Sequence, residues 1–337
     1  MRNKKSTITM SDVARDAGVG TMTVSRALRD PLKVSEKTRQ TVLASVTKLG
    51  YVLDETAASL SSKRTRIVGA IVSTLDQSIF AETVRGLSER LQINGQQLLV
   101  ATSDYSKNKE AELIRTIIGR KPEAMVLTSS EHFQSVEQQI ELAKIPTVET
   151  WEIPKRPICA CVGFSNREAG RSITKHLYDI GKKKIAFLGM DRADDARGRL
   201  RRSGYLDVAS EKHAGMIELQ IPNTGYFGPD YGAMGLNTIM RQWPDTDAIV
   251  CASDAIAFGV YCEALRKGIR IPQELAISGF GDFDYAKANG IGLTTVHIDG
   301  EKIGHETADL INKSVNGIEI KGKIVDIGFQ VIRRQTS

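Results

Sequence analysis

The stretch Thr9–Leu28, TMSDVARDAGVGTMTVSRAL, decides how the N-terminal part of the chain folds. Thr9 suits a helix N-cap, and Asp12 three residues later complements the same helix start, the arrangement of a capping box. Val13 and Ala14 give the first helix an apolar face. Ala17-Gly18-Val19 then reads as a turn, because glycine after a helix takes the left-handed conformation at little cost. A second helix follows carrying Thr21, Met22, Thr23, Ser25 and Arg26, mostly short polar side chains that reach phosphates and base edges. Val19, Val24 and Leu28 are left to hold the two helices together. The unit is a helix-turn-helix, and its second helix is the candidate recognition helix for a DNA major groove.

Working outward, Asp30-Pro31 breaks the chain and Ser35 caps a third helix over roughly 36–48. Its Val42, Val46 and Leu49 recur at helical spacing, Gly50 ends it, and Tyr51 covers the edge of the small core. About 50 residues with so little core are marginal alone. The charge distribution supplies a reason for such a module. Residues 1–66 hold thirteen Lys/Arg against six Asp/Glu, a balance of +7, while the whole chain is +6. The remainder therefore sums to −1. A basic head on a near-neutral body meets a polyanion with one end only.

Residues 54–62, DETAASLSS, read either as a flexible linker or as a short helix around Ala57, Ala58 and Leu60, ahead of the basic string Lys63–Arg66. From Ile67 the pattern changes. Apolar runs at 67–73, 97–103, 124–129, 146–149, 184–189, 247–253 and 275–280 read as buried parallel strands. They alternate with helical stretches such as FAETVRGLSERLQING, NKEAELIRTIIGR, NREAGRSITKHLYDIG and DAIAFGVYCEALRKG. Such alternation implies a doubly wound α/β body, and about 270 residues suggest two subdomains.

Other classes find little support. The start MRNKKSTITM lacks the apolar core of a secretory signal, and no run approaches the ~18 apolar residues of a membrane span, so a cytoplasmic protein is expected. Cys159, Cys161, Cys251 and Cys262 show no CxxC pair or zinc spacing and read as packing residues. No dinucleotide fingerprint, no phosphate-binding P-loop and no metal spacing among the five histidines occurs, so neither an enzyme nor a cofactor is expected.

Taken together these residues resemble the LacI/GalR (lactose/galactose repressor) family of bacterial transcription regulators. In the head the resemblance rests on D-V-A-x-x-A-G-V at 12–19, T-V-S-R at 23–26, V-S-x-x-T-R at 34–39 and L-G-Y at 49–51. In the body it rests on I-V-G at Ile67, F-x-E at Phe80, V-G-F-x-N at 162–166, S-D-x-x-A-x-G at 253–259 and L-T-T-V at 293–296. The resemblance implies an all-α helix-turn-helix headpiece (1–53), a hinge helix and linker (54–66), and a periplasmic-binding-protein-like α/β core of two doubly wound subdomains (67–337). Their boundary is expected near 163–166, with chain crossovers near 293 and 325. It further implies a homodimer on a pseudo-palindromic operator, in which Thr9, Thr21, Met22, Thr23, Ser25 and Arg26 contact DNA. The hinge would bring Ala57 and Leu60 to the DNA, with Leu60 wedged into the minor groove. Two departures stand out: Gly20 replaces the usual Ser or Thr cap of the recognition helix, and Leu53-Asp54 replaces a Pro-Asn hinge start.

Ligands of doubly wound folds sit beyond the carboxyl ends of the strands. That rule selects Phe80, Thr128, Glu149, Trp151, Arg201, Ser253 and Asp282 as effector-binding candidates. Arg201, in RLRR-SGY, also matches the position at which the family grips its effector. Arg197, Arg199 and Arg202 read instead as a solvated face balanced by Asp194 and Asp195. Many family members carry an aspartate after G-F, where this chain has Gly281. Loss of that acceptor favours an anionic ligand. I-P-T-V-E at 145–149 and G-F-G-D at 279–282 resemble the gluconate-utilisation repressor branch. The expected effector is therefore a sugar or sugar acid, gluconate or its phosphate. The competing expectation, a secreted solute-binding receptor with the same body fold, has no use for the basic head.

Overall fold

The computed structural model describes residues 8–53, 64–76, 78–191, 194–209, 213–220, 229–288 and 290–337. The chain forms two compact units, divided between Thr65 and Arg66.

Among the described residues the first unit has three α-helices, α1 (Met10–Ala17), α2 (Thr21–Arg29) and α3 (Glu36–Leu49). Thr9 and Asp12 form a reciprocal capping box: the Asp12 amide donates to Thr9 Oγ1 at 3.3 Å and the Thr9 amide to the Asp12 carboxylate at 3.0 Å. Gly18 takes φ +66° and stops α1, as the turn reading required. Val13, Val24 and Val42, one from each helix, are fully buried against one another, and Tyr51 closes the rim. Ala14 and Ala27 are buried with them, and Val19, Leu28, Val46 and Leu49 pack around this small core.

The second unit contains two six-stranded sheets. The first is ordered β11-β5-β4-β3-β1-β2, from β1 (Ile67–Val72), β2 (Gln97–Thr102), β3 (Ala124–Leu127), β4 (Thr147–Thr150), β5 (Ala160–Gly163) and β11 (Ile324–Asp326). The second is ordered β12-β10-β9-β8-β6-β7, from β6 (Ile185–Asp191), β7 (His213–Gln220), β8 (Ala248–Cys251), β9 (Ala276–Phe280), β10 (Thr294–His297) and β12 (Gln330–Ile332). Pairing is parallel except between β10 and β12. The chain crosses between the sheets after β5, after β10 and between β11 and β12. The seven apolar runs of the sequence are all strands. β5, β7, β10, β11 and β12 lie outside those runs: TTVH, IVD and QVI of β10 to β12 mix polar and apolar residues over three or four positions and form no apolar run.

Eight helices flank the sheets: α4 (Ser78–Ile93), α5 (Lys107–Gly119), α6 (Gln134–Ala143), α7 (Asn166–Asp179), α8 (Ala196–Ala209), α9 (Pro229–Gln242), α10 (Asp254–Arg266) and α11 (Gly300–Val315). Three pairs of them meet backbone to backbone through glycines. A Cβ on Gly304 of α11 would lie 2.4 Å from the Thr83 carbonyl oxygen of α4. One on Gly170 of α7 would lie 2.2 Å from the Arg201 carbonyl oxygen of α8, and one on Gly204 of α8 1.9 Å from that of Arg167. Gly259 of α10 stands in the same relation to Pro229 of α9, at 1.8 Å. A methyl group has no room there, because the obstacle is backbone and cannot rotate away.

This makes a prediction with an internal control. Gly204→Ala should destabilise the protein by about 1–3 kcal/mol in chemical denaturation, the usual cost of overpacking. Gly119→Ala, where the added methyl meets nothing within 4 Å, should be neutral or slightly stabilising. Equal effects at the two positions would show that the close approach of α7 and α8 is not rigid.

Candidate functional site

The head presents one face of α2. Thr21, Met22 and Arg26 are exposed and Thr23 and Ser25 half-buried, while Val24 and Ala27 on the opposite face are buried. Met22 is 65% exposed, a large apolar side chain held out to solvent. Among the described residues, Thr21, Thr23, Ser25 and Arg26 make no side-chain hydrogen bond within the head, so their donors and acceptors are available. Gly20 caps α2 without a side-chain acceptor. The first amides of the helix are thereby left to an outside anion, which a phosphate satisfies.

In the second unit a cleft runs between the sheets at the carboxyl ends of their strands. Phe80, Trp151, Arg201 and Ser253 line one cavity together with Arg197 and Phe280. An adjoining cavity is walled by Ser73, Ser103, Tyr105, Lys107, Ser129 and again Arg197. Each has about 20 Å³ of space, room for about one water. An aromatic chain floors the cleft. Phe80 meets Trp151 edge-on at 5.2 Å, Trp151 meets Phe164 at 6.1 Å, and Phe164 stacks with Phe280 at 6.2 Å. Trp151 sits at φ +73°, a left-handed conformation that is costly for a bulky residue and that concentrates at functional sites. Its indole Nε1 donates to Thr83 Oγ1 at 3.2 Å.

Arg201 is fixed by a relay. The fully buried Asn166 donates to the Trp151 carbonyl (2.8 Å) and the Glu152 carboxylate (2.7 Å), and its Oδ1 accepts from Arg201 at 2.8 Å. The guanidinium lies over Phe280, 4.4 Å from the ring centroid. Its buried Nε has no hydrogen-bond partner among the described residues. Burial pulls Arg201 below the ordinary arginine pKa, the Asp195 carboxylate opposes that, and the Arg197 charge adds to it. A cation held in this way is a group waiting for an acceptor.

Comparison with known proteins bears on both units. The family described as bacterial regulatory proteins, lacI family, matches residues 9–54, and periplasmic binding proteins and sugar binding domain of LacI family matches residues 65–333. The chain belongs to the LacI family. It is 30% identical to the HTH-type transcriptional regulator GntR of Pseudomonas aeruginosa, over 98% of this chain and 95% of that one. It is 29% identical to the GntR regulator of Escherichia coli K12, over 97% of each. The structure of a LacI family regulator from Silicibacter pomeroyi superposes with a TM-score of 0.87 at 28% identity, covering 98% of this chain and 99% of the other. The protein is thus a DNA-binding transcriptional regulator of the LacI type. No described helix is long and apolar enough to cross a membrane.

Against the LacI-type expectations the residues sort unevenly. Ala57 and Leu60 lie outside the described residues. Phe80, Trp151, Arg201 and Ser253 come together on one cavity wall, although Ser253 Oγ also caps α10 by accepting from the Ile256 amide. Thr128 meets the cleft through its carbonyl, while its hydroxyl pairs with Ser73 at 3.0 Å. Glu149 does not face the cavity. Its carboxylate turns into the first subdomain, accepting from the Ile158 amide at 2.6 Å and lying 3.5 Å from His132 Nε2. Asp282 is also committed elsewhere, to Arg334 (2.6 Å) and His297 (3.0 Å). Gly281 has no space for a carboxylate: φ is +124° and a Cβ would fall 2.4 Å from the Phe283 ring. The largest correction concerns Arg197. Far from being solvated it is 7% exposed, donating to the Thr128 carbonyl and, at 2.7 Å, to Ser73 Oγ. Nothing in its sequence neighbourhood separates it from Arg199, which is half-buried and bonded to Glu131 at 2.7 Å.

The sequence also gave no hint of His132, buried between Glu110 (2.8 Å) and Glu149. Burial alone would push the imidazole down, but hydrogen bonds and charge from the two carboxylates outweigh it and raise the pKa to about 9. The folded value lies above the unfolded value of about 6.5. The stabilisation is therefore complete below pH ~6.5 and disappears as pH rises through about 9. The stability difference between the wild type and His132→Gln, followed by urea denaturation, should shrink from pH 6.5 to pH 10. A difference independent of pH would show that the imidazolium charge contributes nothing.

Proposed function

We propose that this regulator is a homodimeric repressor whose operator affinity is set by a small sugar acid bound in the cleft of the second unit. The observation that carries this reading is Arg201, a half-buried arginine on an aromatic-walled cavity whose enclosed Nε has no partner among the described residues. The aromatic floor suits the C–H face of a sugar, and the guanidinium suits a hydroxyl pair or a carboxylate. Gly281, with no carboxylate to repel an anion, supports the acid over the neutral sugar. In the head, Arg26 and the short polar side chains of α2 are assigned to DNA, with Met22 offering apolar contact to a thymine methyl.

The two sites are coupled by linkage. An effector that favours a core conformation incompatible with operator binding weakens DNA affinity, and DNA weakens effector affinity by the same factor. With ~1–3 kcal/mol of coupling the change is roughly 5- to 150-fold. Genomic fragments selected by the purified protein, titrated in gel shifts, should show a change of that size with gluconate or its 6-phosphate and none with glucose. A response to neutral hexoses or purines alone would sink the effector assignment, and failure to select any DNA would sink the regulator. On the same fragments, Arg26→Ala should weaken binding by about 1–3 kcal/mol. Unchanged affinity would remove Arg26 from the interface.

A further inference from the structure

We infer that Arg197 is the residue that selects an acid over a neutral sugar, and that it does so by exchanging two internal acceptors for the carboxylate of the effector. The inference rests on the sugar-acid reading above and assigns a role within it to a residue that the family match at Arg201 does not reach.

Arg197 lies in the first turn of α8, one turn before Arg201, so the two guanidiniums project from one helix face. The Glu152 and Asp195 carboxylates stand in the same cleft, yet neither pairs with Arg197 directly. Among the described residues both groups it bonds are neutral, a carbonyl and a hydroxyl, and no carboxylate lies within ion-pair distance. The cations at the cleft mouth are treated differently: Lys107 and Arg199 share Glu131 at 3.0 and 2.7 Å. Among the described residues the two guanidiniums on the cavity thus lack the direct carboxylate partner that Lys107 and Arg199 have. A buried pair of positive charges is expensive unless an anion joins it.

Position adds chemistry to charge. Arg197 borders both cavities, and its guanidinium carbon is 5.2 Å from the centre of the Phe80 ring. A carboxylate there leaves the rest of the molecule two surfaces, an aromatic floor and a wall of serine hydroxyls from Ser73, Ser103 and Ser129. An open-chain polyhydroxy acid matches both. The present 20 Å³ does not admit six carbons, so the subdomains must part, and parting breaks the bonds from Arg197 in the second subdomain to Ser73 and Thr128 in the first. A carboxylate replaces them with a bidentate, charge-assisted pair. A neutral sugar leaves the guanidinium without an equivalent acceptor.

The experiment compares gluconate with glucitol, which lacks only the acid group, and with glucose 6-phosphate, an anion without a carboxylate. Calorimetric titration of the full-length wild type, Arg197→Met and Arg197→Lys gives the affinities, with thermal melts to confirm folding. The wild type should prefer gluconate to glucitol by ~100-fold or more, as sites built around a buried polar group do. Arg197→Met should bring that ratio close to one, and Arg197→Lys should restore part of it. Retention of the full acid preference by Arg197→Met, with gluconate still binding, would overturn the role of Arg197 while leaving the sugar-acid effector intact. Tighter wild-type binding of glucose 6-phosphate than of gluconate would overturn the carboxylate assignment. Wild-type binding of glucitol over gluconate, or of neither, would overturn the effector reading itself.

Discussion

The contact on which the effector cleft depends is the backbone approach of α7 to α8. Gly170 and Gly204 remove the two side chains that would hold the helices apart, and the Arg201 carbonyl then sits directly against α7. Everything polar in the cleft is referenced to that contact. Asn166 opens α7 and accepts from Arg201, which is carried on α8, so a shift of α8 by the width of a methyl group would pull the relay apart. Arg197, one turn earlier, is placed by the same seat. The close packing is thus a positioning device as well as a source of stability, and a helix pair joined through longer side chains would hold two guanidiniums less exactly in register.

The same seat sets what the cleft can do when it moves. The subdomains are linked at its mouth by Lys107, Glu131 and Arg199 and deeper in by Arg197, Ser73 and Thr128. The outer pairs are partly exposed and each contributes little in water. The inner bonds are buried, and a hydrogen bond to a charged group there is worth about 1.5–3 kcal/mol. Closure is therefore governed from inside, and the proposed effector would compete there for the same guanidinium. Switching requires only that the competitor bind one arrangement of the subdomains better than the other.

Legibility in the sequence followed the range of the interactions. The head was readable because its determinants are local: a capping box spans three residues, and Gly18 ends a helix through its own φ. The α/β body was readable where strands sat in continuous apolar runs, and β10 to β12, short and partly polar, escaped. In the cleft, the rule that ligands lie beyond strand ends found Phe80, Trp151, Arg201 and Ser253. It failed at Glu149 and Asp282, because position at a strand end does not say which way the side chain turns. Glu149 turns toward His132, and Asp282 toward Arg334, residues 17 before it and 52 after it in the chain. Arg197 was misread for the same reason: its acceptors come from the other subdomain, and only the folded chain brings them near.

The Gly281 position shows why such misreadings matter for function. In sequence it is a missing carboxylate beside a present one, Asp282, and the neighbour invites the thought that the acceptor has merely moved by one residue. The geometry denies that exchange. Gly281 is held at φ +124° against the Phe283 ring, and Asp282, itself at φ +54°, sends its carboxylate to His297 at the end of the neighbouring β10 and to Arg334 just after β12. Freeing it would leave Arg334 without its carboxylate partner in a largely buried site, so Asp282 is not a spare acceptor. The second subdomain accordingly offers the cavity two guanidiniums, and of the carboxylates near them Asp195 accepts from the Gly198 amide at the start of α8 and Glu152 from Asn166. With Arg197 and Arg201 fixed by helix packing and Asp282 committed elsewhere, the placement of the two guanidiniums belongs to the fold, and an anionic effector of the kind proposed would meet them already in position.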